Sequence, residues 1–227
     1  MSCKKVFVSL LFLSSCSFAY SQTNVYGLKV ISSPAEYKAA VDSNPNSQLV
    51  ELIKYIPDLK LDIRYATKNN FAGIQVYDEA KAFARFPVAI ALQSVQKELR
   101  EKGLGLKIYD AYRPYSVTVK FFEVASDKNF VASPKTGSRH NRGCAIDLTI
   151  VRLRNGRELR MPTPYDSFAP EASPEFSELP NKVKANRDIL IRVMENNGFK
   201  VLHNEWWHFD FKDWKQFDLM DVPFNQL

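Results

Sequence analysis

Cys144-Ala145-Ile146-Asp147-Leu148-Thr149-Ile150-Val151 alternates with the period of a β-strand, and Asn155-Gly156 shortly after it reads as a hairpin turn. Period two puts Cys144, Ile146, Leu148 and Ile150 on one face and Ala145, Asp147 and Thr149 on the other. An aspartate in mid-strand is disfavoured unless it has a partner, and either a cation or a buried arginine would serve. Upstream, Val88, Leu92, Val95 and Leu99 recur at helical spacing between Pro87 and Gly103, and Leu104, Leu106 and Ile108 alternate as a strand leading into Tyr109-Asp110-Ala111-Tyr112-Arg113-Pro114. A helix is expected from about Tyr115 to Ala125. Downstream, the five prolines between Pro162 and Pro180 predict a long ordered loop, a length at which loops often cover a site. A last helix should run over Asn181 to Asn197, with Gly198 ending it and two short strands following around Asn204. Helices with mostly hairpin-linked strands, lacking regular βαβ alternation, argue for an α+β fold: a small, mostly antiparallel sheet with helices packed on it.

The N-terminus differs in kind. Lys4 and Lys5 precede an apolar run from Val6 to Phe12 and then small residues, the pattern of a secretory signal. Two processing readings compete. Ala19-Tyr20-Ser21 fits ordinary cleavage before Gln22, giving a signal peptide over 1–21; Leu13-Ser14-Ser15-Cys16 resembles a lipobox, giving a signal over 1–15 and a lipidated Cys16. Either predicts an exported, periplasmic protein, bound to membrane only through such an anchor. Residues 22–50 read as a polar, irregular N-terminal extension and 51–227 as the main domain, with loose strand-like alternation from Glu51 to Ile63.

Of the 31 basic residues only Lys4 and Lys5 lie in 1–21, which holds no acid, so the formal charge of +6 falls to +4 without the signal. That excess is spread along the chain with no basic cluster, which argues against a nucleic-acid partner. Cys3 and Cys16 fall in the signal. Cys144 is then alone in the mature chain, unable to form an internal disulfide, and reads as a small core residue.

Three histidines are the whole supply, and two sit in the segments that read as chemistry. His140 lies in Ser138-Arg139-His140-Asn141-Arg142-Gly143 just before the strand of Asp147, and His208 closes Glu205-Trp206-Trp207-His208. Two imidazoles and an aspartate supply three zinc ligands with a fourth position free, and a nearby glutamate can act as base. Residues three apart on an ideal strand face opposite ways, so Glu205 and His208 reach one metal only if Glu205 sits at an irregular turn. The alternative is an aromatic-cluster histidine beside Trp206 and Trp207. His203 reads as a strand residue near a turn.

Ser138-x-His140-x-x-Gly143-x-Ala145-x-Asp147 followed by Glu205-x-Trp207-His208 resembles the signature of the bacterial D-alanyl-D-alanine dipeptidases, the VanX-type zinc peptidases related to D,D-carboxypeptidases. The likeness extends over roughly residues 60 to 212, through Arg64-Tyr65-Ala66-Thr67, Asn70-Phe71, Asp110 to Pro114, Tyr165-Asp166 and Met194 to Phe199. It implies one Zn2+ held by His140, Asp147 and His208 at the sheet edge. Glu205 would be the general base and Arg113 the stabiliser of the tetrahedral oxyanion; Tyr65, Ser138 and Asp166 would bind substrate, with Asp166 facing the substrate ammonium. The implied activity is hydrolysis of D-Ala-D-Ala, a small peptide substrate, in peptidoglycan metabolism. A D,D- or L,D-carboxypeptidase acting on stem peptides is the nearest alternative, and an inactive cell-wall-binding module is an alternative of another class. The segment between Tyr115 and Ser138 looks shorter than in the resistance enzymes.

Overall fold

The alternating run around Asp147 forms β6 (Ala145–Arg152), the middle strand of a five-stranded sheet, in a computed structural model that describes residues 24–227. Two neighbours flank it antiparallel: β5 (Leu104–Asp110) on one side and β8 (Glu205–Phe211) on the other. Outside these lie β3 (Lys60–Leu61), parallel to β5, and β7 (Phe199–Leu202), the hairpin partner of β8. Ile108 stands opposite Leu148, Leu106 opposite Ile150 and Phe209 opposite Ile146, giving one apolar row that is fully buried. Because partners directly opposite project to the same side, Asp147 shares a face with His208 and with Asp110.

The helices begin and end where their signals lie. The longer two are α3 (Phe86–Arg100), with Pro87 in its first turn, and α5 (Asn181–Asn196); each turns an apolar stripe inward, Val88, Leu92, Val95 and Leu99 from one and Leu190, Val193 and Met194 from the other. These stripes join the apolar row of the sheet in a single core. Gln96 crosses the packing seam, its Oε1 accepting from Leu106 N–H at 2.8 Å and its Nε2 donating to Pro57 C=O at 3.0 Å. Helix α4 (Tyr115–Val124) follows Pro114 and buries Phe121 beside the site. The α+β class and the mostly antiparallel sheet are as expected.

Four expectations change. The zinc-type cluster is not at the sheet edge: its residues stand on the inner strands β6 and β8 and in the turn before β6, because β5 and β7 close the sheet on either side. Residues 24–50 are not irregular. They carry β1 (Val30–Ile31), α1 (Pro34–Ser43) and β2 (Leu49–Glu51), and Ser33 and Glu36 form a capping box at the start of α1. The Glu51–Ile63 stretch gives only the end of β2, the short α2 (Leu52–Tyr55) and β3. Finally, the chain returning from Asn155-Gly156 makes a single bridge, Val151 to Glu158, before Pro162 and Pro164 end any ladder. The predicted signal and Cys16 lie outside the described residues. Strand β1 pairs in parallel with β9 (Leu219–Met220), and β2 antiparallel with β4 (Phe83–Arg85).

Candidate active site

A short turn presents His140. Residues His140–Arg142 form one 3-10 turn, which ends at Gly143 with φ 68, a left-handed conformation suited to glycine. Asn141 locks the turn from inside: its Oδ1 accepts from Ser138 N–H at 2.7 Å, and its Nδ2 donates to Arg113 C=O at 2.9 Å and Thr118 Oγ1 at 2.8 Å. Asp147 follows on β6 and His208 stands across from it on β8. Glu205 begins β8 after the two-residue turn His203-Asn204, where a register shift pairs it with Leu202. That irregularity brings Glu205 Oε2 to 3.7 Å from His208 Nδ1, the condition the three-residue spacing demanded.

Three inward atoms meet: His140 Nε2 lies 3.3 Å from Asp147 Oδ1, His208 Nδ1 lies 3.0 Å from it, and the two nitrogens are 3.1 Å apart. Both imidazoles spend their outer nitrogens elsewhere. His140 Nδ1 donates to Ala111 C=O at 2.7 Å, and His208 Nε2 lies 3.0 Å from Asp210 Oδ1. For neutral rings the inner nitrogens are therefore bare acceptors, and the 3.1 Å approach between them is no hydrogen bond. Asp147 Oδ1 is buried with no donor correctly aimed at it, although both rings are close, while Oδ2 accepts from Tyr165 OH at 2.9 Å. A cation resolves three converging acceptors. Donors bonded tetrahedrally to zinc at roughly 2.0–2.1 Å stand about 3.4 Å apart, close to the spacing found here. The His–His–carboxylate set therefore fits zinc. In the metal-free site burial opposes the His208 imidazolium, but the carboxylates of Asp147 and Asp210 on either side carry its pKa to about 10. Asp147 moves the other way; burial is outweighed by the two histidines and its carboxyl is held well below the usual range.

All eight residues singled out in the sequence line one cavity of about 220 Å³: Tyr65, Arg113, Ser138, His140, Asp147, Asp166, Glu205 and His208. Arg113 lies against Tyr65 and Phe121, its guanidinium 5.2 and 5.0 Å from their ring centres, and its Nη2 is 4.0 Å from Asp147 Oδ2. Burial works against its charge, but Asp110 beside it more than restores it. The arginine is also anchored in the fold, since Nε and Nη2 donate to Asp110 Oδ2 at 3.0 and 2.7 Å. Tyr65 OH donates to Asp166 Oδ1 at 3.0 Å, and Asp166 Oδ2 is buried without a partner. Burial and then the charge of Asp147 push the Asp166 carboxyl up to about 8. Its backbone is left-handed, φ 61, which few residues other than glycine, asparagine and aspartate adopt readily. Glu205 is raised above the ordinary range by burial and Asp147, against the pull of His208. Ser138 Oγ accepts from His140 N–H at 3.2 Å.

His203 is exposed on the hairpin and lines the cavity without joining the cluster. Cys144 is fully buried and its thiol is pushed up to about 12 by that burial, as a core residue should be. Sequence reasoning noted the segments of Tyr165 and Asp110 but gave neither a role, and it passed over Tyr77: Tyr165 stands behind Asp147, and Asp110 behind Arg113 with Tyr77 OH donating to its Oδ1 at 2.8 Å.

Three converging metal donors with a carboxylate and an arginine on one cavity wall define a metal-dependent hydrolase. A family model described as D-Ala-D-Ala dipeptidase, of the M15 peptidases, matches residues 45–225, and the chain belongs to that family, whose members are zinc-dependent. The D-alanyl-D-alanine dipeptidase of Escherichia coli (strain K12) is 31% identical over 179 residues, covering 79% of this chain and 92% of that protein. That of Enterococcus faecalis (strain ATCC 700802 / V583) is 30% identical over 178 residues, covering 68% and 87%. Among solved structures, the LdcB LD-carboxypeptidase aligns at TM-score 0.43 and 18% identity over 74% of this chain and 70% of that one.

Proposed function

We propose that this zinc metallopeptidase hydrolyses D-Ala-D-Ala, or a dipeptide much like it, outside the cytoplasm. The observation that carries the reading is a single small cavity holding a three-donor metal set, a carboxylate, an arginine and, beside Tyr65, an acid with one oxygen buried and unpartnered. A volume near 220 Å³ is modest beside the roughly 300–1,000 Å³ of drug-sized sites, and it suits a dipeptide better than an extended stem. When bound by His140, Asp147 and His208, zinc supplies Lewis acidity towards the scissile carbonyl and the attacking water. Glu205 removes the proton of that water and returns it to the leaving amine as the C–N bond breaks. Arg113, fixed by Asp110 and always charged, stands ready for the negative charge that builds on the carbonyl oxygen. Asp166 meets the substrate ammonium, with Tyr65 orienting its carboxyl, and Ser138 lies beside the same substrate.

Export follows the Lys4-Lys5 and Val6–Phe12 pattern, with the mature chain starting at Gln22 or at a lipidated Cys16; the mass of the mature N-terminus distinguishes the two. Among the described residues no helix is long and apolar enough to cross a membrane.

Glu205→Ala should lower turnover of D-Ala-D-Ala by roughly 10²–10⁴-fold, the usual worth of a general base, while zinc content stays at one per chain. Wild-type turnover in that variant would remove Glu205 from the role. Amine release from D-Ala-D-Ala, from an N-blocked analogue and from a stem peptide tests the substrate. Preference for the free dipeptide is expected, equal cleavage of the stem would mark a carboxypeptidase, and zinc binding without turnover of any would mark a binding module.

A further inference from the structure

We infer that Asp210, backed by Arg139, is a positioning residue that sets the metal affinity of the site through His208. The inference rests on His140, Asp147 and His208 being the ligands. Asp210 lies two residues beyond His208 on β8, so both side chains project to the same side of the sheet. Its Oδ1 is 3.0 Å from His208 Nε2, and its Oδ2 is 3.5 Å from Arg139 Nε. Arg139 is itself held, its guanidinium 4.9 Å from the centre of the Trp214 ring. The result is an ordered file running outward from the metal position: imidazole, carboxylate, guanidinium, indole.

The two histidines are served unequally. A neutral carbonyl, Ala111 C=O, accepts from His140 at 2.7 Å, with Asp110 Oδ2 standing off at 3.8 Å and itself held by Arg113, whereas a carboxylate oxygen faces His208 directly at 3.0 Å. A carboxylate on the outer N–H fixes the tautomer and makes the inner nitrogen a stronger donor to metal. Arg139 Nε approaches Oδ2 as an ion pair without a hydrogen bond, while Oδ1 faces the ring. The backbone of Asp210 pairs with Ala145 on one side and Lys200 on the other, which fixes its direction independently of the side chain. Asp210 does not line the cavity. Its effect should therefore appear in how tightly metal is held and not in how substrate is bound.

The test is a competition titration of zinc against a chelator on the metal-free mature protein, with KM for D-Ala-D-Ala measured at saturating zinc. Asp210→Ala should bind zinc about 10–100-fold more weakly, the range for partners of metal-bound histidines. Asp210→Asn, which keeps a carbonyl acceptor but no charge, should fall between, and KM should change less than twofold in both. Zinc affinity within twofold of wild type in Asp210→Ala overturns the inference. If that variant does not fold, Asp210→Asn decides alone, and unchanged affinity there overturns it equally. A wild-type protein that binds no zinc refutes instead the reading of the ligand set.

Discussion

Asp147 divides its two oxygens between two tasks: Oδ1 faces the histidines, and Oδ2 takes a hydrogen bond from Tyr165. Tyr165→Phe leaves the ring stacked on Tyr109, centroids 4.5 Å apart, and removes only that bond. Stability should drop by about 1 kcal/mol in a denaturant melt, and zinc affinity by roughly tenfold in a chelator titration. The role proposed for Asp166 implies a pH dependence. In the metal-free site burial and then the charge of Asp147 raise the Asp166 carboxyl to about 8, and where it is protonated it cannot pair with an ammonium; zinc on Asp147 offsets the second cause and moves the limb towards lower pH. KM for the dipeptide should fall as pH rises towards about 8 and climb again once the substrate amine, with a pKa near 8, loses its proton. Asp166→Asn should raise KM at least tenfold and flatten its acidic limb, while kcat keeps the limb that Glu205 imposes; a KM profile shaped as in wild type would contradict this role. His140, Asp147, Glu205 and His208, which the structure gathers on one cavity, could be singled out in the sequence because histidine is scarce and their spacing resembles the family's. Tyr165 and Asp110 could not, since which carboxylate a tyrosine reaches, or which arginine an aspartate holds, is decided by strand register and loop path.

The turn that ends at Gly143 shows how an element aims a ligand. A Cβ there would stand 2.6 Å from Leu49 Cδ2 and 3.4 Å from the backbone nitrogen of Arg85, on top of the strain of a positive φ. Gly143→Ala should therefore lower stability by about 1–3 kcal/mol, and it should weaken zinc binding because His140 lies three residues upstream in the same turn. Chemical denaturation and zinc titration read the two effects separately. Helix α3 was legible because apolar spacing, a proline start and the Gly103 stop agreed, α5 because Gly198 ends it, and α4 because it follows Pro114. Helix α1 was overlooked despite its Ser33-x-x-Glu36 box, because it buries no residue and so shows no apolar stripe. Strands of two or three residues such as β1, β3 and β9 are too short for alternation to register at all; tertiary pairing creates them.

At the scale of the molecule, the segment before the family match is a working part of the fold. Val30 and Ile31 are each 6% exposed and lie against Leu219 and Met220. Removing residues 24–44 should cost about 3 kcal/mol from those two side chains, a fall in Tm of roughly 6–12 °C by thermal melt. An unchanged Tm would show that β1 adds nothing. Neither this pairing nor the position of the metal set on inner strands could be foreseen, because sequence spacing does not reveal strand order. The β1–β9 pair also bears on timing. It joins residues 189 apart, so it can close only after Met220 has been made, and long closures of this kind are slow. For a chain proposed to cross a membrane before folding, such a delay would leave the β1 segment unclasped while Leu219 and Met220 are still to arrive.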